Sequence, residues 1–226
     1  MLAPADIYCN VLECPNSGLA AATKGWANRR QDMTAFTIHS IDTAPAGSKD
    51  RLAAVKKGWG FIPKLQATLA ESPVALKAYD DLFGLIAAEA TLTPAEQQVV
   101  YQAINVFHGC EYCASGHTFL SRKAGVPEDV IQAIRTLQPI TDARLQALRV
   151  FAETVAEQRG FAGDAAVDAF LAAGFSKAQV LEVVTIIATK VISNYTNHLT
   201  HTPLEDFMND PALRWEDPKG RTPRRD

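Results

Sequence analysis

Two thiols and an imidazole stand within eight residues of one another in Cys110-Glu111-Tyr112-Cys113-Ala114-Ser115-Gly116-His117. With Cys110 at the start of a helix and about 100° of rotation per residue, Cys113 lies about 60° from it and His117 about 20° from it on the same side. All three then project from one face, the thiols one turn apart and the imidazole one turn beyond. Side chains at i and i+3 have Cβ atoms roughly 5–6 Å apart, and a disulfide needs roughly 3.5–4.5 Å. A bond between Cys110 and Cys113 therefore forms only if the first turn adjusts, and a strained disulfide is easily reduced. Gly109 lets the chain enter the turn, the helix N-terminus favours a thiolate, and His117 is able to take a thiol proton near neutral pH. The pattern is a redox-active dithiol with a base beside it.

Two blander readings compete. A CxxC is often half of a zinc site, but Cys110, Cys113 and His117 supply three ligands, and His108 falls on the opposite face of a continuous helix. The cysteines could also be inert core residues, as free Cys often is. The other two cysteines, Cys9 and Cys14, sit in a segment without periodicity.

The motif also carries a family resemblance. Cys110-Glu-Tyr-Cys113-x-x-x-His117, after a helix opening Leu92-Thr93-Pro94-Ala95-Glu96, resembles the alkylhydroperoxidase D and carboxymuconolactone decarboxylase family from about Phe36 to Phe207. The resemblance implies an all-α homo-oligomer that reduces hydroperoxides. By it, Cys113 is the peroxidatic thiol, Cys110 the resolving thiol and His117 part of a proton relay. It implies an external dithiol reductant, lipoyl-bearing or thioredoxin-like, and no metal or other cofactor. Where the family usually has a relay glutamate, twelve residues before the first cysteine, this chain has Gln98. An amide can orient a proton path but cannot ionise. Gln98, Tyr112 and His198 are the further candidates for the relay or the pocket. His198 and His201, three apart, could also bind a metal or serve only packing.

The elements that must position these groups read as helices throughout. Ser48 is a candidate cap for a helix from Lys49 to Gly58, and Gly58-Trp59-Gly60-Phe61-Ile62-Pro63 is a bend whose large apolar side chains either pack on the core or wall a pocket. Helices follow over 63–70 and 72–90, the second burying Leu76, Tyr79, Leu82, Phe83, Ile86 and Ala90. Thr93-Pro94-Ala95-Glu96 is a capping box with Pro at the first helical position and opens the helix that delivers the motif. Further helices are expected after Pro127, after Asp142 and over 165–173. No stretch alternates with period two, so no sheet is expected.

The chain then echoes itself. Leu92-Thr93-Pro-Ala-Glu matches Phe175-Ser176-Lys-Ala-Gln at an offset of 83 (175 − 92), and the same offset sets Cys110 and Cys113 on Ser193 and Thr196. Two similar helical units are expected, the second without thiols, with the helix from Lys177 to Asn194 buried on most sides. Three regions result: a weakly ordered extension over 1–32, a helical domain over 33–210, and an exposed tail over 211–226, with Phe207 to Trp215 able to pack across the boundary between the last two.

Composition bounds the rest. At 226 residues with 47% hydrophobic side chains the chain can bury a sizeable core, and a net charge of −3 gives no general attraction to nucleic acid or to an anionic membrane. No apolar run approaches the roughly 20 residues that span a bilayer, and four cysteines make no disulfide framework, so a reducing cytoplasm is the default compartment. The leading expectation is a thiol-dependent peroxidase. The alternatives are a redox-responsive binding or regulatory protein, or a non-redox lactone decarboxylase of the same family.

Overall fold

The structure, a computed structural model, describes residues 35–221. The extension over 1–32, with Cys9 and Cys14, lies outside the described residues, as does the chain end after Arg221. Among the described residues the regular structure is wholly helical: α1 (Ala46–Trp59), α2 (Lys64–Leu69), α3 (Pro73–Glu89), α4 (Pro94–His108), α5 (Glu111–Lys123), α6 (Glu128–Arg135), α7 (Ala143–Glu157), α8 (Asp164–Ala172) and α9 (Lys177–Thr200), then a short 3₁₀ turn, Asp206–Asn209.

The helix starts follow the local chemistry. The Thr93 hydroxyl accepts from the Glu96 amide while the Glu96 carboxylate accepts from the Thr93 amide, and Ser176 and Gln179 repeat the arrangement at the head of α9. Ser72 and Asp142 cap α3 and α7 with their side chains. Ser48 does not cap. Pro45 holds that place, α1 begins at Ala46, and the buried Ser48 hydroxyl donates to the Ala70 carbonyl at 2.7 Å. Within α7, Val150 turns outward while Leu148, Phe151 and Val155 are buried.

Helix α4 is the centre of the molecule. Val99, Val100, Ile104 and Val106 are all but fully buried in one cluster with Ile131, Ile134, Leu148, Phe151 and Ile186 from α6, α7 and α9. A second cluster joins Leu52, Leu65, Leu69, Leu76 and Tyr79 of α1–α3 to Cys110, Tyr112 and Cys113. The motif thus sits where the two clusters meet. No single helix among the described residues is long and apolar enough to cross a membrane.

The tail, expected to be exposed from residue 211, is tied down through Arg221. Trp215 is 2% exposed; its backbone amide donates to the Ser115 hydroxyl and its indole N–H to the Arg135 carbonyl. Arg221 donates to the Phe107 and Val106 carbonyls at 2.6 and 2.8 Å, and Asp217 holds its guanidinium in place. A cation on the orphan carbonyls of a helix C-terminus is a recognised way to end a helix. The sequence suggests mobility here because Pro, Gly and charged residues dominate, and the anchoring partners lie about a hundred residues away.

Candidate active site

The site begins with a broken helix. Gly109 stops α4 in the left-handed region, φ 73°, where a side chain is strained. Its amide bonds the Val106 carbonyl and the Cys110 amide bonds Asn105, the paired hydrogen bonds of a Schellman stop. Cys110 is extended, φ −87° and ψ 99°, and serves as the N-cap of α5. It therefore precedes the helix, while Cys113 sits in the first turn. Both are free thiols, 1% and 3% exposed.

The thiols differ sharply. Burial pushes the Cys110 thiol well up, and its neighbour Cys113 pushes it further. Burial also pushes Cys113 up, but more acts in the other direction: the Cys110 thiol favours its negative form, the Lys190 ammonium attracts it, and the polar side chains of Asn194 and Ser193 nearby add to the pull. The balance leaves Cys113 below the ordinary thiol range. The Asn197 side-chain amide donates to Cys113 Sγ at 3.2 Å and reaches Cys110 Sγ at 3.8 Å. Within the pair, Cys113 is thus the more acidic thiol and Cys110 the less acidic one.

Lys190 is the residue that sequence reasoning missed. It is 1% exposed and has no carboxylate partner among the described residues. Its ammonium donates to His117 Nε2 at 3.2 Å and lies 5.7 Å from the Tyr101 ring centroid. A buried charge needs compensation, and the Cys113 thiolate supplies it. The signal was present in the sequence: Lys190, Ser193, Asn194 and Asn197 stand at i, i+3, i+4 and i+7 on a helix otherwise rich in Val and Ile, and all four are buried. They form a polar stripe facing inward.

His117 is one step away from the thiols. Its Nδ1 pairs with Gln98 Oε1 at 2.8 Å, and its Nε2 takes the Lys190 ammonium. An amide oxygen only accepts, so Nδ1 carries the proton. Burial first, and Lys190 second, hold its pKa well below the ordinary histidine value. The imidazole is therefore neutral, with both nitrogens engaged, and no hydrogen bond joins it to either sulfur among the described residues. The sequence expects His117 to take a thiol proton; in the structure its two nitrogens meet Gln98 and Lys190. Gln98 and His117, nineteen residues apart, are brought together.

Tyr112 and His198 take other places. The Tyr112 hydroxyl donates to Glu205 at 2.7 Å, and Glu205 also accepts from the Lys64 backbone at 2.5 Å, locking the head of α2 to the chain after α9. His198 is half-buried, and its Nε2 has no hydrogen-bond partner. His201 ends α9 in a left-handed cap, and no three His, Cys, Asp or Glu side chains among the described residues converge as metal ligands would. His108 turns toward α9, where Nδ1 meets Asn194 Oδ1 at 2.8 Å. Asn194 in turn donates to Asn105, which reaches Gln102 and the Cys113 carbonyl. These buried amides tie α9 and α4 to the first turn of α5.

Cys113, His117 and Lys190 open onto a cavity of about 620 Å³. Its walls include Trp59, Phe61, Tyr79, Phe83, Phe119 and Phe207, so the aromatic bend at 58–63 is a pocket wall. Phe207 packs edge-on against Phe61 and Phe119 at centroid distances of 6.2 and 6.0 Å. The space suits an apolar molecule delivered to one nucleophilic sulfur.

Residues 73–153 match the model of the carboxymuconolactone decarboxylase family. No curated protein sequence matches the chain. Among solved structures, an uncharacterized peroxidase-related protein from Ralstonia eutropha, an alkylhydroperoxidase AhpD core, aligns with a TM-score of 0.69 at 22% identity over 84% of this chain and 97% of that one. A peroxidase-related protein from a Silicibacter species gives 0.67 at 15% identity, over 79% and 95%. The debrominase Bmp8, as a cysteine-to-alanine variant in complex with 2,3,4-tribromopyrrole, gives 0.63 at 17%, over 76% and 92%. At such identities the likeness is one of fold. The chain has the AhpD-like all-helical fold and carries the carboxymuconolactone decarboxylase family pattern over the helices that hold the thiols. The polar stripe of α9 lies outside the matched segment.

Proposed function

We propose that this AhpD-like chain, matched to the carboxymuconolactone decarboxylase family across its motif, is a cysteine-based hydroperoxide reductase. The observation that carries the reading is the asymmetric dithiol: a Cys113 thiolate stabilised by Lys190 and Asn197, a neutral Cys110 thiol beside it, and an apolar cavity ending on Cys113.

The chemistry balances as follows. Cys113 attacks the outer oxygen of ROOH, the O–O bond breaks, and the alkoxide takes a proton from the Lys190 ammonium. Cys113 is then a sulfenic acid. The Cys110 thiol attacks its sulfur and expels hydroxide, which leaves as water with the Cys110 proton. The products are ROH, water and a Cys110–Cys113 disulfide, and an external dithiol returns the two electrons. Lys190 regains its proton from solvent, while Gln98 holds His117 in place beside it. His117 here positions the lysine rather than deprotonating the thiol.

The aromatic walls favour alkyl or aryl hydroperoxides over hydrogen peroxide. They also fit a second reading, reductive dehalogenation of a small aromatic, the chemistry named for Bmp8. The exposed apolar row Leu181, Val184, Tyr195 and Leu199 along α9 supports a homo-oligomer built on that face.

The test is steady-state consumption of cumene, tert-butyl and hydrogen peroxides with a supplied small dithiol, beside a panel of halogenated pyrroles and phenols. Peroxide turnover lost in Cys113→Ser is expected. Halide release without peroxide turnover would move the second reading ahead. A wild-type protein that consumes neither would end both.

A further inference from the structure

The two sulfurs face different spaces. Cys113 lines the aromatic cavity, and Cys110 lines a second cavity of about 390 Å³ on the other side. Tyr112 is a wall of both, so it and the cysteine pair form the partition. The second cavity is the more polar of the two, with Glu111, Asn197, His198, Thr202, Asn209 and Arg214 around Cys110. Asn197 is 5% exposed, and its Oδ1, like His198 Nε2, is buried without a hydrogen-bond partner. Buried polar atoms rarely stay unpaired, so this wall has hydrogen-bonding capacity to spare.

We propose that this polar cavity is the reductant's entrance, where a slender alkyl dithiol attacks Cys110 of the oxidised pair while the hydroperoxide uses the opposite, aromatic side. The proposal rests on the dithiol chemistry proposed above. Three arguments support it. First, attack on one sulfur expels the other, and the better leaving group is the more stable thiolate. Attack on Cys110 expels Cys113 toward Lys190 and Asn197; attack on Cys113 would expel Cys110, which Asn197 reaches only at 3.8 Å and whose thiol burial holds well up. Second, an incoming thiolate is poorly solvated among aromatic side chains and better among amide, imidazole and guanidinium groups. Third, Cys110 is 1% exposed at the end of a small cavity, so it admits a chain and not the surface of a folded redox protein.

The step is a pair of exchanges. The reductant enters as a thiolate, its proton left in solvent. Its sulfur bonds Cys110 Sγ, the Cys110–Cys113 bond breaks, and Cys113 leaves as the thiolate beside Lys190. The reductant's second thiol then attacks its own first sulfur and displaces Cys110, which takes up the second thiol's proton. The reductant ends as an intramolecular disulfide, and the protein holds a Cys110 thiol and a Cys113 thiolate.

Diamide oxidation prepares the disulfide without any peroxide, so the reductive half can be timed by itself in stopped flow. Reduction is followed with dihydrolipoamide, free and tethered to a carrier domain, and with reduced thioredoxin. Both forms of the alkyl dithiol should react, thioredoxin at least tenfold more slowly. A faster reaction for the free form identifies a diffusible reductant, and a faster one for the tethered form a carried arm. Asn209→Trp, which narrows the polar cavity from an exposed position, should lower the ratio of reduction rate to cumene-peroxide oxidation rate about tenfold. Gly58→Phe, where an added Cβ meets nothing within 4 Å, narrows the aromatic cavity and should move that ratio the other way. In wild type, acid quenching during reduction by 2-mercaptoethanol should place the mixed disulfide on Cys110. A mixed disulfide on Cys113, thioredoxin as fast as the small dithiol, or both variants shifting the ratio in the same direction would overturn the proposal. A protein reduced at Cys110 that consumes no peroxide would keep this entrance and lose the peroxidase reading.

Discussion

The two helical units start alike and end differently. Each opens with a reciprocal capping box, Thr93 with Glu96 and Ser176 with Gln179. In the first unit the helix stops at Gly109 and restarts at Glu111, leaving Cys110 extended between the two segments. In the second, the position 83 residues on (192 − 109) is Ile192, which has no access to the left-handed stop, and α9 runs unbroken for 24 residues. One glycine therefore separates a unit that places a buried cysteine at a helix N-terminus from one that presents a continuous face. That face is no relic of lost thiols. It supplies Lys190, Ser193, Asn194 and Asn197 to the sulfurs of its neighbour, and none of these lies at the position of a residue with the same task in the first unit. The lesson is division of labour: one copy holds the nucleophile, the other its charge and hydrogen bonds.

Removing the charge that the second unit lends should produce the largest effect. Lys190→Met should slow Cys113 alkylation at neutral pH by about 30- to 100-fold, since a lost ion pair and a thiol returned to its ordinary range are each worth on the order of 1–3 kcal/mol. Raising the pH should recover most of the loss. In wild type, the rate should stay nearly flat as pH falls from 8 to 6, because Cys113 is held below the usual thiol range. His117→Gln should slow alkylation less than Lys190→Met, because the imidazole is neutral. Equal losses would restore the histidine as the base.

The helix break can be attacked directly. Gly109→Ala puts a side chain at φ 73°, and its Cβ would lie 2.9 Å from an Asp217 carboxylate oxygen. The expected loss is about 1–2 kcal/mol in chemical denaturation, with a lower Tm. An unchanged Tm would mean that the break is held by the tail and the buried amides alone.

A smaller effect is expected at Asn197, which donates one neutral hydrogen bond to the thiolate. Asn197→Ala should reduce alkylation and peroxide turnover together by about three- to tenfold, in keeping with roughly 1 kcal/mol for such a bond. Turnover reduced without any change in alkylation would assign Asn197 to the disulfide stage.

The smallest effect is on stability. Burial lowers the pKa of His117, His108 and His198 in the folded state. Below the unfolded value, near 6.5, the unfolded chain binds protons that the native chain refuses, so stability is complete above it and falls as pH drops from about 7 toward 5. Denaturation midpoints at pH 7 and 5.5 should differ by roughly 1 kcal/mol or more. A rise in stability on acidification would contradict the neutral assignment.

The sequence by itself determined what local chemistry can determine. The capping residues marked where α4 and α9 begin, Gly109 marked the break, and the spacing of Cys110, Cys113 and His117 put three reactive groups at one helix head. The aromatic bend at 58–63 was legible as large side chains that either pack on the core or wall a pocket, and the structure makes it a pocket wall. Tertiary structure decided the rest. The difference between two cysteines three residues apart arises from α9 crossing behind them, with Lys190 seventy-seven positions further on (190 − 113). A lysine amid Val and Ile reads locally as one polar residue on an apolar helix, and only packing reveals that it meets His117 near the thiols. His117 likewise looked like a base for the thiol by helical arithmetic, but Gln98 and Lys190 occupy its nitrogens. The tail looked mobile from composition and is held by Trp215 and Arg221. Spacing along a chain sets which groups share a face. Burial, charge pairing and access are properties of what packs against that face, so the thiolate's identity and the two cavities beside it emerge only in three dimensions.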